Sequence, residues 1–151
     1  MFLAGCASQQ PKSKVTSKEG SVGSIQTVRT TAYTCSEAGG RHSACGTALC
    51  GTKGNVKSAA SDWSKFPLGT QFKILKTGEV YEICDYGSAL VGKKTIDLYK
   101  ASRCEMRAWG ARNVEIQILQ WGSAEKSLKL LGPRRHCQYV RSMLADLKRQ
   151  H

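Results

Sequence analysis

The stretch Cys84-Asp85-Tyr86-Gly87-Ser88-Ala89-Leu90-Val91-Gly92-Lys93-Lys94-Thr95-Ile96-Asp97-Leu98 decides how this chain folds. Asp85 opens a glycine turn. Asp97 sits inside Thr95-Ile96-Asp97-Leu98-Tyr99, a β-branched and aromatic run with the composition of a strand. Side chains alternate along a strand. If Ile96 and Leu98 face a core, then Thr95, Asp97 and Tyr99 face the other way. Only 11 residues of the 151 are acidic against 23 Lys and Arg, so a carboxylate between two apolar residues needs a reason to be there.

Strands surround this stretch on both sides. Upstream, residues 25–34 carry β-branched and aromatic side chains, and residues 56–61 lead into Asp62. Residues 71–76 and 80–84 flank Thr77-Gly78-Glu79 as a hairpin, and Pro67-Leu68-Gly69-Thr70 is a turn. Downstream, residues 114–119 alternate as a strand with one wet face. A short helix is expected over residues 101–109, with Ala101, Cys104 and Ala108 on its apolar stripe and Gly110 as its stop. After Gly122, Pro133 can start a helix in which Cys137, Val140, Leu144 and Leu147 form an apolar face, packed on the barrel or on a partner. Many short strands, one small helix and 15 glycines point to a small closed β-barrel.

Composition bounds the rest. A hydrophobic content of 40% supports one core, and no window approaches the ~18 apolar residues of a spanning helix. The net charge of +12 suits anionic surroundings, but aromatic residues make up only 7% and no stacking pattern of a nucleic-acid binder is present. The seven cysteines include no Cys-x-x-Cys pair, which argues against a zinc ribbon or thioredoxin-type site. With Cys6 set aside, six remain, enough for up to three disulfides or for a set of buried thiols. Cys35, Cys45 and Cys50 fall in a glycine-rich loop over residues 35–55, where His42 reads as a surface residue.

Leu3-Ala4-Gly5-Cys6 resembles a bacterial lipobox, although only Met1-Phe2 precede it. That match makes Cys6 the expected lipidation site and the membrane a partner through its anchor. Residues 1–23 then form a polar tether, 24–122 the barrel domain and 123–151 a basic extension with a helix. Ala7 points to outer-membrane sorting.

Chemically, Asp85 and Asp97 can be brought close by the return loop between them. Neighbouring carboxylates disfavour each other's ionisation, and a carboxyl that keeps its proton can act as a general acid on a glycosidic oxygen. The plainer account is that Asp85 caps its turn and Asp62, before Trp63, caps a helical turn.

Residues 28–121 resemble the three-aspartate (3D) domain found in stationary-phase-survival-type proteins and in the C-terminal part of membrane-bound lytic transglycosylase A. The matching elements are Thr31-Ala32-Tyr33, Ala59-Ala60-Ser61-Asp62, Pro67-Leu68-Gly69-Thr70, Asp85 to Gly92, Ile96-Asp97-Leu98-Tyr99 and Trp109-Gly110-Ala111-Arg112. The resemblance implies a mainly β fold, a six-stranded double-psi β-barrel, here with one short helix and a C-terminal amphipathic helix. It also implies a lytic transglycosylase that cleaves the β-1,4 bond between N-acetylmuramic acid and N-acetylglucosamine in peptidoglycan. By resemblance Asp97 is the catalytic acid and base, Asp85 and Asp62 are its supporting aspartates, and Tyr33, Thr31 and Lys94 belong to the groove wall. It implies no metal and no organic cofactor. A monomer in the bacterial envelope, in the periplasm and bound to peptidoglycan rather than nucleic acid, is expected. The alternative is a non-catalytic peptidoglycan-binding or disulfide-linked structural envelope protein. Cys84 and the cysteine-rich loop depart from the family pattern.

Overall fold

A computed structural model describes residues 21–35 and 54–150 of the chain. Cys6 with its tether, most of the 35–55 loop, Cys45, Cys50 and His42 lie outside the described residues.

Six strands close into a mixed barrel: β1 (Ile25–Tyr33), β2 (Val56–Ala60), β3 (Gln71–Ile74), β4 (Val80–Asp85), β5 (Thr95–Tyr99) and β6 (Arg112–Gln120). Their order around the barrel is β1-β5-β2-β4-β3-β6. β1 runs parallel to β5 and β2 parallel to β4, and the remaining pairs are antiparallel. The expected six-stranded, mainly β barrel is therefore what forms. Alternation builds its interior: Val114, Ile116 and Ile118 of β6 point inward, as do Ile96 and Leu98 of β5 and Phe72 and Ile74 of β3. Phe72 and Tyr81, opposite each other across β3 and β4, stack at 5.8 Å.

Among the described residues three α-helices pack outside. α1 (Arg103–Trp109) opens on a capping box in which the Ser102 hydroxyl accepts from the Glu105 N–H and the Glu105 carboxylate accepts from the Ser102 N–H. It closes at Gly110, whose φ of 64° suits glycine. The expected stripe of Ala101, Cys104 and Ala108 is exposed instead. A two-turn helix with no buried residue is held by one anchor, Trp109, whose indole donates to the Thr30 hydroxyl at 3.1 Å. The Lys100 ammonium and the Arg112 guanidinium each lie 4.6 Å from its ring centroid.

Beside α1, Glu79 accepts from Lys57 and lies 3.7 Å from the Lys100 ammonium, which donates to the Tyr81 hydroxyl. Burial pushes the Glu79 carboxyl up, but the Lys57 hydrogen bond and the Lys100 and Lys57 charges outweigh it and hold it below its ordinary value. Its contribution to stability is thus present above the ordinary glutamate pKa of about 4.3 and lost as the pH falls through the lower folded value. Glu79→Gln is expected to cost about 0.5–1 kcal/mol at pH 7, since the site is partly exposed. The gap to the wild type should close between pH 5 and pH 3 in urea titrations.

The C-terminal segment differs from expectation. α2 (Ala124–Leu131) was not anticipated; Ser123 caps it by accepting from the Lys126 N–H. Pro133 lies in a 3-10 turn, Gly132–Arg134, and α3 (Gln138–Gln150) begins after it. Leu131, Val140, Met143 and Leu147 are fully buried and belong to the same cluster as the barrel core. Burying four such side chains stabilises the docked extension by about 6–12 kcal/mol before entropy is counted. Of the expected face, Val140 and Leu147 are buried while Cys137 and Leu144 are half-buried and pack against the core; Met143, not anticipated, joins them fully buried. Cys35, Cys84, Cys104 and Cys137 form no disulfides with one another.

Candidate functional site

Strand register brings the site together. Thr31 of β1 pairs with Asp97 of β5, Asp97 pairs with Ala60 of β2, and Ala60 pairs with Asp85 of β4. These four residues form a row across four adjacent strands. The backbones of Asp97 and Asp85 are two strand spacings apart, about 10 Å, with only the Ala60 methyl between them.

Asp85 reaches this face because of a bulge. Ala59 pairs with Ile83 but Ala60 pairs with Asp85, so Cys84 is the extra residue. In an unbroken ladder Asp85 would share the face of Ile83, which is fully buried in the core. The bulge turns it outward to join Asp97. The carbonyl of Asp85 accepts from the Ser61 N–H at 3.1 Å and from the Trp63 indole at 2.9 Å, which pins the bulged end.

The row forms the floor of a groove with a cavity volume of about 840 Å3. The Thr31 hydroxyl donates to Asp97 Oδ1 at 2.6 Å, and the Tyr86 N–H donates to Asp85 Oδ1 at 2.9 Å. Tyr33 also lines the groove, buried against Tyr99 edge-on at 5.8 Å. Burial, together with the negative charges of Asp85, Cys84, Asp97 and Tyr99, pushes its phenol far above the ordinary tyrosine value. The phenol therefore stays a neutral hydroxyl beside Asp85 and Asp97.

Asp62 lies elsewhere. It is fully buried and is not among the residues lining the groove. Its Oδ1 accepts from the Ser64 N–H at 2.8 Å and its Oδ2 from the Gly92 N–H at 2.6 Å. Its carbonyl accepts from the N–H groups of Lys65 and Phe66. Asp62 thus caps the turn after β2 and clamps the loop 86–92, which carries a groove wall. Lys94 is exposed, and its neighbour Lys93 lines the groove.

Sequence reasoning did not single out Arg29, Tyr86, Lys93 or Tyr139, all of which line the groove. Arg29 was within reach, because it stands two residues before Thr31 and so shares its face. Tyr139 carried no such signal: its position depends on how α3 docks. Among the described residues no group of three or more His, Cys, Asp or Glu side chains is placed to hold a metal ion. Among the described residues, too, no helix is long and apolar enough to cross a membrane.

No family model matches the chain. Over 120 residues, 78% of its length, it is 37% identical to the "Putative cell wall shaping protein YabE" of Bacillus subtilis (strain 168). The chain spans 28% of the length of that relative, so the similarity is to one part of a longer protein.

Proposed function

We propose that the groove binds the glycan strand of peptidoglycan and cleaves the bond between N-acetylmuramic acid and N-acetylglucosamine, in the service of cell-wall turnover. The observation that carries this reading is the row Thr31, Asp97, Ala60, Asp85 on the groove floor. It places two carboxyls on one face, one of them oriented by a hydroxyl. The resemblance to the 3D domain and the cell-wall role in the name of the Bacillus relative support it independently.

In this reading the protonated Asp97 carboxyl gives its proton to the glycosidic oxygen as the C–O bond breaks. The resulting carboxylate takes the proton of the muramyl 6-hydroxyl while that oxygen closes on the anomeric carbon. The product is a 1,6-anhydro sugar, with no water consumed. Asp85, across the Ala60 methyl, supplies negative charge to the oxocarbenium-like transition state. Thr31 holds the Asp97 carboxyl in place, and Asp62 acts at a distance by fixing the loop beside the groove. An envelope location, with Cys6 as lipid anchor, belongs to the same proposal.

The test is digestion of purified peptidoglycan by the full chain, with mass spectrometry of the soluble fragments. The expected result is 1,6-anhydro-muropeptides, formed at least about 100-fold more slowly by Asp97→Asn, the scale of a lost general acid. No product, or equal product from the variant, overturns cleavage. Retained co-sedimentation with the glycan would then identify a binding module.

A further inference from the structure

Among the described residues lining the groove, Tyr139 is the one that comes from the C-terminal extension. It lies near the start of α3, and its ring faces Tyr86 at 6.3 Å with a tilt of 47°. Tyr86 is itself fixed from other sides. The Trp63 ring meets it edge-on at 5.0 Å, and the Arg134 guanidinium lies 5.8 Å from its centroid and donates to its hydroxyl at 3.3 Å. Both tyrosines are partly exposed toward the groove.

One account of Tyr139 is that it merely ties α3 down. Its ring does pack beside the core cluster, but Val140, Met143 and Leu147 are fully buried and already anchor the helix. What remains is a pair of contacting, half-exposed rings on a wall of the groove whose floor holds Asp85 and Asp97. Carboxylates meet sugar hydroxyls, whereas aromatic rings meet the C–H face of a pyranose, so the two zones suit successive units of one glycan strand.

We propose that Tyr139 and Tyr86 form a stacking subsite for a hexopyranose ring beside the carboxylate floor, which makes the C-terminal helix part of the glycan site. The subsite rests on the reading of the groove as a peptidoglycan site. Because Tyr139 comes from outside the 28–121 region, the extension would set how many sugar units the groove engages.

The experiment compares full-length wild type, Tyr139→Ala and Tyr139→Phe. Binding is read by co-sedimentation with peptidoglycan and by titration with the tetramer of N-acetylglucosamine, followed through the intrinsic tryptophan fluorescence, to which Trp63 behind Tyr86 contributes. Thermal melting is recorded for each variant. Tyr139→Ala is expected to weaken binding about 10-fold and Tyr139→Phe less than about 2-fold, with both melting within about 2 °C of the wild type. Unchanged binding by Tyr139→Ala, in a wild type that binds, overturns the subsite and leaves the groove reading standing. Equal losses from Ala and Phe overturn stacking, since the hydroxyl would then be the working group. A fall of more than about 5 °C in Tyr139→Ala overturns the subsite in favour of a structural role. A wild type that retains neither glycan overturns the groove reading and the subsite together.

Discussion

Gly122→Ala is expected to destabilise the protein by at least about 3 kcal/mol, read as a fall of about 10 °C or more in melting temperature. A Cβ at this position would lie 2.3 Å from the carbonyl oxygens of both Pro67 and Leu68 and 2.7 Å from the Leu68 carbonyl carbon. These are backbone atoms, and they are held. The Leu68 carbonyl accepts from the Ser123 N–H, and the Leu68 N–H donates to the Ser127 hydroxyl. The Pro67 carbonyl accepts from both the N–H and the hydroxyl of Thr70. Making room for one methyl therefore means disturbing both the hydrogen bonds that close the 67–70 turn and those that join it to the start of the extension. Gly132→Ala is the control: nothing lies within 4 Å of its Cβ position, and its backbone is helical. It should leave the melting temperature unchanged or slightly raised. A loss of less than about 3 °C in Gly122→Ala would show that the turn yields more easily than its hydrogen bonds suggest.

Asp62→Ala is expected to cost about 2–3 kcal/mol, because it strands the buried Ser64 N–H and releases the more exposed Gly92 N–H, both of which now donate to the carboxylate. Calorimetry of the variant checks this directly. The comparison with Asp97→Asn separates two kinds of aspartate. The Asn amide oxygen can still accept from Thr31, so that variant should melt within about 2 °C of the wild type while losing product. Asp62→Ala should lose stability first and groove function with it, since loop 86–92 loosens. A variant that melts normally yet loses all activity would place Asp62 in the chemistry rather than in the frame.

Much of the barrel was legible because alternation is a local property. In Thr95 to Tyr99 the inward positions of Ile96 and Leu98 leave Asp97 on the opposite face, and β6 reads the same way. The face of Asp85 was not legible. Residue spacing puts it on the side of Ile83, and only the bulge at Cys84, a product of the pairing with β2, reverses that. The two helices after Gly122 show a second limit. Apolar spacing marked α3 and its inward face, but it missed Met143, because the docking of the helix on the barrel decides which flanking positions are buried most deeply. α1 and its stop at Gly110 were legible, but its apolar stripe was not: a single tryptophan fixes the helix, and periodicity cannot see a single anchor. The carboxylate of Asp62 reads in sequence like those of Asp85 and Asp97. Its destination became clear only when Gly92, thirty residues away, proved to be its donor.

The closure of the barrel constrains what kind of polymer it can hold. Among the described residues each of the six strands has a neighbour on both sides, although β2 meets β5 only at Ala59 and Ala60, so none of them is a free edge strand. An extended peptide would find no free strand among these six to pair with along its length. A long ligand must be recognised through side chains, by ring faces, hydroxyls and carboxyls. That grammar fits a saccharide better than a polypeptide.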